Sequence, residues 1–309
     1  MDVVGDVRAL ADKGDVPAAL RLLAEQREAY PRHLGLSYLM ESELRAATGE
    51  RETAVVPLER ALAAGCRYRK EWLVANKRLA PLADLPALRD LAERAQRAYD
   101  DAAASAKPSL MFAMPDTLPD AFGYPLLMVL HGNNSNAKVT APQWSAMADR
   151  GWVVAIPQSG EIGPTPDAFT WNDMDRAASE LDMQFDRVKR ATEIDTSRIV
   201  LAGFSQGATV ALLLAFRKRF TVRGVIALAP WMPNSPEMRT LVEGGAGKVL
   251  RTYVVIGERD ASLQSARELD ALLQSKGLRA TLDERTSLGH DYPSDMDETL
   301  VRALAFVTK

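Results

Sequence analysis

The chain has 309 residues, 47% of them hydrophobic, which is enough for two ordinary domains and too apolar for a disordered polymer. Its 38 basic and 41 acidic residues leave a net charge of -3 with no long single-sign run, so no nucleic-acid footprint and no basic membrane-binding surface is visible. A single cysteine, Cys66, excludes an internal disulfide framework and a cysteine metal cluster, and a reducing cytoplasm is the expected compartment. The first residues, MDVVGDVRALADKGD, lack a basic stretch followed by an apolar core, and no apolar run approaches the roughly 18 residues needed to span a bilayer. Neither secretion nor membrane insertion is expected, and the sequon at Asn133 is set aside for that reason.

Residues 1 to about 100 read as helices, with Ala, Leu, Arg and Glu at three- and four-residue spacings. A weak repeat runs through them. Gly14-Asp15 recurs as Gly49-Glu50, and from each glycine the fifth and ninth residues are Ala19 with Leu23 and Ala54 with Leu58, a period of 35. A helix pair of this kind buries its apolar stripe only by stacking on a neighbour. Over roughly residues 5 to 98 the pattern resembles the tetratricopeptide family, with a generic helical bundle as the alternative. The stretch RKEWLVANKRLAPLADLPALRDLAER looks like the terminal part of such an array.

The segment 99–108, YDDAAASAKP, is small, polar and closed by proline, which predicts a boundary between a helical domain at 1–104 and a second domain at 105–309. Short apolar runs then alternate with amphipathic stretches. LLMVLHG, WVVAIPQ, RIVLAGFS, GVIALAP and TYVVIGERD read as buried strands. Helical patterns lie near 141–150, 174–192, 206–218, 262–276 and 294–308. The alternation predicts an α/β fold, a mostly parallel sheet with helices on both faces, whose chemistry gathers at the carboxyl ends of the strands.

The run Arg198 to Leu214 is a strand, then Gly203-Phe204-Ser205-Gln206-Gly207, then a strongly apolar helix. Gly-x-Ser-x-Gly in that context is a nucleophile elbow. The serine sits on a sharp turn, the glycines remove side chains that would collide, and the helix aims its amides at the same place. A serine hydroxyl needs a base within hydrogen-bond reach. Of three histidines, His33 lies in the helical half and reads as a surface residue, and His131 precedes the serine and ends a strand in Leu-His-Gly. His290, in a loop after the strand-like ATLDERT and before the last helix, fits the chain order serine, acid, histidine. The acid that holds its imidazole is Asp260, which closes TYVVIGERD; Glu258 is the rival, and Asp291 is too close in sequence for the geometry. Amides of Gln206 and Asn133, with Asn134 in reserve, are the expected donors to a tetrahedral oxyanion.

At Gly-Phe-Ser205-Gln-Gly-Ala the sequence resembles the phospholipase/carboxylesterase branch of the α/β-hydrolases, close also to dienelactone-hydrolase-like proteins. The likeness runs from about Leu126 to Phe306, supported by Leu-His-Gly at 130–132, Phe-Thr-Trp171, and Gly-His290 with proline three residues on. It implies hydrolysis of carboxylic esters or thioesters with no metal or organic cofactor. Two departures stand out. The loop after His131 is Asn-rich where the branch commonly has Gly-Leu-Gly-Asp, and Asp260 is followed by Ala-Ser where the branch often has Val-Pro. Trp171, Phe204, Trp231 and Met232 fall on strand ends, and Trp171, Trp231 and Met232 are expected to wall an acyl or aryl pocket, with core packing as the alternative. Gly244 to Lys248 lacks the spacing of a phosphate loop and reads as a connector.

The expected function is therefore an intracellular esterase or thioesterase. A helical module that binds a protein partner or self-associates, with the second domain as scaffold, is the competing reading, and a serine peptidase on the same fold is a third.

Overall fold

The computed structural model describes residues 3–29, 33–232 and 235–309, and the chain divides into two compact units. Among the described residues no helix is long and apolar enough to cross a membrane.

The first unit holds residues up to 107 together with 161–169. Its helices are α1 Val3–Asp12, α2 Val16–Ala29, α3 Leu34–Ala47, α4 Arg51–Ala54, α5 Val56–Ala63, α6 Lys70–Val74 and α7 Pro86–Ser105. The turns that end α1 and α3 are built alike. Gly14 and Gly49 take φ of 81° and 82°, and Asp15 and Glu50 donate back to Leu10 and Arg45. All four apolar residues of the 35-residue repeat, Ala19, Leu23, Ala54 and Leu58, are buried. The segment 161–169 is the part of this unit that the proposed boundary at 104/105 does not anticipate. Its polar groups find partners in the helical unit: Thr165 Oγ1 accepts from the Gly35 amide at 3.0 Å, and the Pro164 carbonyl accepts from the Arg67 amide at 2.8 Å.

The second unit holds 108–160 and 170–309. Its seven strands are β1 Ser109–Ala113, β2 Tyr124–Leu130, β3 Val153–Gln158, β4 Ile194–Phe204, β5 Gly224–Leu228, β6 Arg251–Gly257 and β7 Arg279–Arg285. They lie in the order β1-β3-β2-β4-β5-β6-β7, all parallel except β1, which runs antiparallel to β3 along one edge. Period-two alternation sorts the strand side chains onto two covered faces. Leu126, Met128 and Leu130 join the core under α9 Met174–Ala191, α10 Gln206–Phe216, α11 Pro236–Glu243 and α12 Leu263–Ser275. Leu127 and Val129 join the core under α8 Ala137–Thr140 and α13 Met296–Val307. Helix α10 is apolar on nearly every side and correspondingly buried along its length.

One predicted helix differs. The stretch 141–150 forms two 3₁₀ turns, Ala141–Gln143 and Ser145–Arg150, because Pro142 supplies no amide donor and Gly151, at φ 85°, stops the chain from continuing.

Candidate active site

Apart from Trp171, which lies just before α9, the groups of the expected site stand where parallel strands end. Ser205 follows β4, the 131–134 loop follows β2, Trp231 follows β5, Asp260 follows β6 and His290 follows β7. Ser205 adopts φ 54°, ψ −120°, a strained backbone for a residue with a side chain, and its amide is held by the Leu228 carbonyl at 2.9 Å. The turn closes only because its flanking residues are glycines: a Cβ at Gly203 would lie 2.4 Å from the Gly207 carbonyl carbon, and one at Gly207 would lie 2.3 Å from the Leu130 carbonyl oxygen.

Three side chains form one hydrogen-bonded chain. Ser205 Oγ stands 2.9 Å from His290 Nε2, and His290 Nδ1 stands 2.7 Å from Asp260 Oδ2. An ionised carboxylate only accepts, so the imidazole proton is on Nδ1 and Nε2 is free to accept from the serine. Asp260 is buried, and its other oxygen accepts from the Ser262 amide at 2.7 Å. Burial by itself pushes this carboxyl up. The hydrogen bonds from His290 and Ser262, with the attraction of the imidazole, outweigh it and hold Asp260 below the ordinary aspartate range. The rival Glu258 is exposed and accepts from the Ser287 amide at 3.1 Å, while Asp291 accepts from the Tyr292 amide at 2.8 Å.

Around the chain the loops are tied to one another. His131 is fully buried; its Nδ1 lies 2.8 Å from the Gly132 carbonyl and its Nε2 accepts from the Ser159 amide at 3.2 Å. Burial pushes its imidazole down to about 4, against an upward effect of the Gly132 carbonyl, so it is a weak base whose Nε2 is already engaged by the Ser159 amide. Trp171 donates its indole N–H to the His131 carbonyl at 3.0 Å, and its amide donates to Gln206 Oε1, also at 3.0 Å. Gln206 Nε2 in turn donates to Asn172 Oδ1 at 2.9 Å. The Gly132 backbone passes close to Ser205, since a Cβ there would lie 3.6 Å from the serine Cβ. Asn133 is exposed, whereas Asn134 is buried in a left-handed conformation at φ 51°.

The expected pocket walls separate into two kinds. Trp231 is 54% exposed, and its carbonyl accepts from Thr209 Oγ1 in the first turn of α10 at 2.7 Å. Trp171 and Met232 are buried in the core, so they support the site by packing rather than by an open face. Phe204 lies 5.0 Å from the His290 ring and is itself stacked on Tyr292 at 4.4 Å. Tyr292 carried a signal that went unread, two residues after the histidine in His-Asp-Tyr-Pro. Cys66 lies buried in the other unit, and burial pushes its thiol up to about 11.

An uncharacterized protein from Bacillus cereus ATCC 10987 is similar in structure over 99% of this chain and 97% of its own, with a TM-score of 0.55 at 24% identity. Esterase PE8 is similar over 65% of this chain and 99% of its own, with a TM-score of 0.54 at 18% identity. Sheet order, elbow and these neighbours agree on the fold. The second unit has the α/β-hydrolase fold. The sequence profile of the phospholipase/carboxylesterase family matches residues 169–307, which takes in most of this second unit, including Ser205, Asp260 and His290. Acyl-protein thioesterase 1 of Mycosarcoma maydis is 35% identical over 68 residues, 22% of this chain and 28% of that protein. The match thus spans little more than a quarter of that relative's length.

Proposed function

We propose that the protein is a serine hydrolase that cleaves carboxylic esters or thioesters through an acyl-enzyme. The observation that carries this reading is the continuous hydrogen-bonded chain from Ser205 through His290 to buried Asp260, set on a strained strand-to-helix turn. Ser205 attacks the acyl carbon while His290 Nε2 takes its proton. Asp260 holds the imidazole and stabilises the imidazolium. The negative oxygen of the tetrahedral intermediate is received by the amides of Gln206 and Asn133. Gln206 is the first residue of α10, so its N–H has no intrahelical acceptor. His290 then protonates the leaving alcohol or thiol, and a water activated by the same nitrogen releases the acid. The similarity to an acyl-protein thioesterase and to esterase PE8 favours acyl transfer to water.

Trp231, with its exposed indole at the end of β5, is the residue we assign to contact the acyl or aryl group. For the helical unit, the matched turns at Gly14 and Gly49 favour stacked tetratricopeptide-like pairs.

The test is a fluorophosphonate probe with the adduct located by mass spectrometry. Labelling at Ser205 that disappears in His290→Ala is the expected result. A folded protein that takes no label rejects the proposal.

A further inference from the structure

The edge of the sheet opposite Ser205 has a different chemistry. An arginine stands at the entry of each of four adjacent strands: Arg198 in β4, Arg223 just before β5, Arg251 opening β6 and Arg279 opening β7. Register places Arg251 beside Gly224, the neighbour of Arg223, and beside Arg279, with adjacent strands about 4.8 Å apart. Arg198 is neutralised by Asp195 and Asp120.

The other three make no ion pair with a carboxylate side chain among the described residues. Arg223 donates to the Lys309 carbonyl, and Arg251 Nη1 donates to the Phe306 carbonyl at 3.4 Å while its guanidinium lies over the Phe306 ring. Arg279 is exposed. The connections leading into the same three strands add exposed Lys218, Lys248 and Lys276, also without ion pairs among the described residues. Six cations without a carboxylate side-chain partner among the described residues thus gather at three neighbouring strand entries of a chain whose net charge is −3. Desolvation, together with the like charges of Arg279 and Arg223, holds the Arg251 guanidinium below its ordinary value.

We infer that Arg223, Arg251 and Arg279 form a binding site for a phosphate-bearing anion. The planar guanidinium fork matches phosphate oxygens bidentately, and neighbouring forks at strand spacing can share one phosphate or take two linked ones. A singly charged carboxylate would leave most of the repulsion in place, so the ligand carries at least two negative charges. Its attachment to the strand entries, away from the strand ends that hold Ser205, separates it from the acyl substrate.

The experiment uses the full chain and two probes. Inorganic pyrophosphate is titrated by calorimetry, and phosphatidylcholine vesicles with and without phosphatidylinositol phosphate are tested by co-sedimentation. Arg251→Gln/Arg279→Gln should weaken binding about tenfold or more, the expected loss of charge-assisted hydrogen bonds. Lys218→Gln/Lys248→Gln removes the same charge nearby and should have a much smaller effect. Fluorophosphonate labelling that is equal in all forms verifies that they are folded.

Saturable pyrophosphate binding with this pattern identifies a soluble phosphate compound as the ligand. Binding confined to the phosphoinositide vesicles, with the same pattern, identifies a lipid headgroup. No saturable binding to either probe, or equal loss in both double variants, overturns the inference.

Discussion

The indole of Trp171 donates its N–H to the carbonyl of His131 at 3.0 Å, and the two rings lie 4.8 Å apart. The contact ties the segment before α9 to the loop after β2, which carries Asn133, one of the two assigned oxyanion donors. The same tryptophan's amide is held by Gln206, whose own amide is the other assigned oxyanion donor. One residue therefore bears on both donors. Trp171→Phe keeps most of the packing and removes the indole hydrogen bond, leaving the buried His131 carbonyl short of a partner. The expected cost is about 1–3 kcal/mol of stability, read from urea unfolding. Ester turnover should fall with KM little changed, because the donors act on the transition state more than on bound substrate.

The two neighbouring acids give a sharper contrast. Asp260 is buried and bonded to His290, whereas Glu258 is exposed and bonded to the Ser287 amide. Asp260→Asn preserves shape but favours the wrong imidazole tautomer, and a loss of about 10⁴ in kcat is expected. Glu258→Gln should alter stability by no more than about 0.5 kcal/mol and leave turnover intact. Parallel kinetics on the two variants check the assignment, and comparable losses would reverse it.

The elbow and its partners were legible because their chemistry forces a local pattern: a strand, two small residues about a serine, an apolar helix, and an acid and a histidine after later strands. What escaped reading depends on packing. Strand β1 was missed because it lies at an edge with Met111 and Phe112 partly open, so it shows no buried run. For Trp171 the sequence leaves pocket wall and core packing open; its place in the core and its hydrogen bond to a carbonyl 40 residues earlier are tertiary facts that no local pattern encodes. The grouping of 161–169 with the helices is likewise made by hydrogen bonds from the Gly35 and Arg67 amides across more than 90 residues of chain.

His131 should leave a signature in the pH dependence of stability. Its imidazole titrates near 6.5 in the unfolded chain and about 4 in the folded one, where burial disfavours the charge. Between those values the unfolded state binds the extra proton, so stability rises with pH. The contribution is fully present above pH 6.5 and is lost as pH falls toward 4, at a cost of about 3 kcal/mol. Urea unfolding from pH 7 to pH 4 should show this decline in the wild type. In His131→Gln, which cannot titrate, the slope should be shallower; an unchanged slope would assign the acid sensitivity to other groups.

Two glycines near the site, Gly207 and Gly289, should respond oppositely to the same methyl group. At Gly207 a Cβ would meet the Leu130 and His131 carbonyl oxygens at 2.3 and 2.4 Å, backbone atoms that move only if α10 lifts from β2. At Gly289, next to His290, a Cβ would have nothing within 4 Å and the backbone is not left-handed. Gly207→Ala should cost about 3 kcal/mol or more, the upper range for overpacking. It should also slow fluorophosphonate labelling, since α10 carries the Gln206 amide. Gly289→Ala should be close to neutral, within about 0.5 kcal/mol, with labelling retained. Thermal unfolding and labelling rates on the pair separate steric exclusion at the turn from a general sensitivity of the site to added bulk. Equal damage at both positions would argue for the latter.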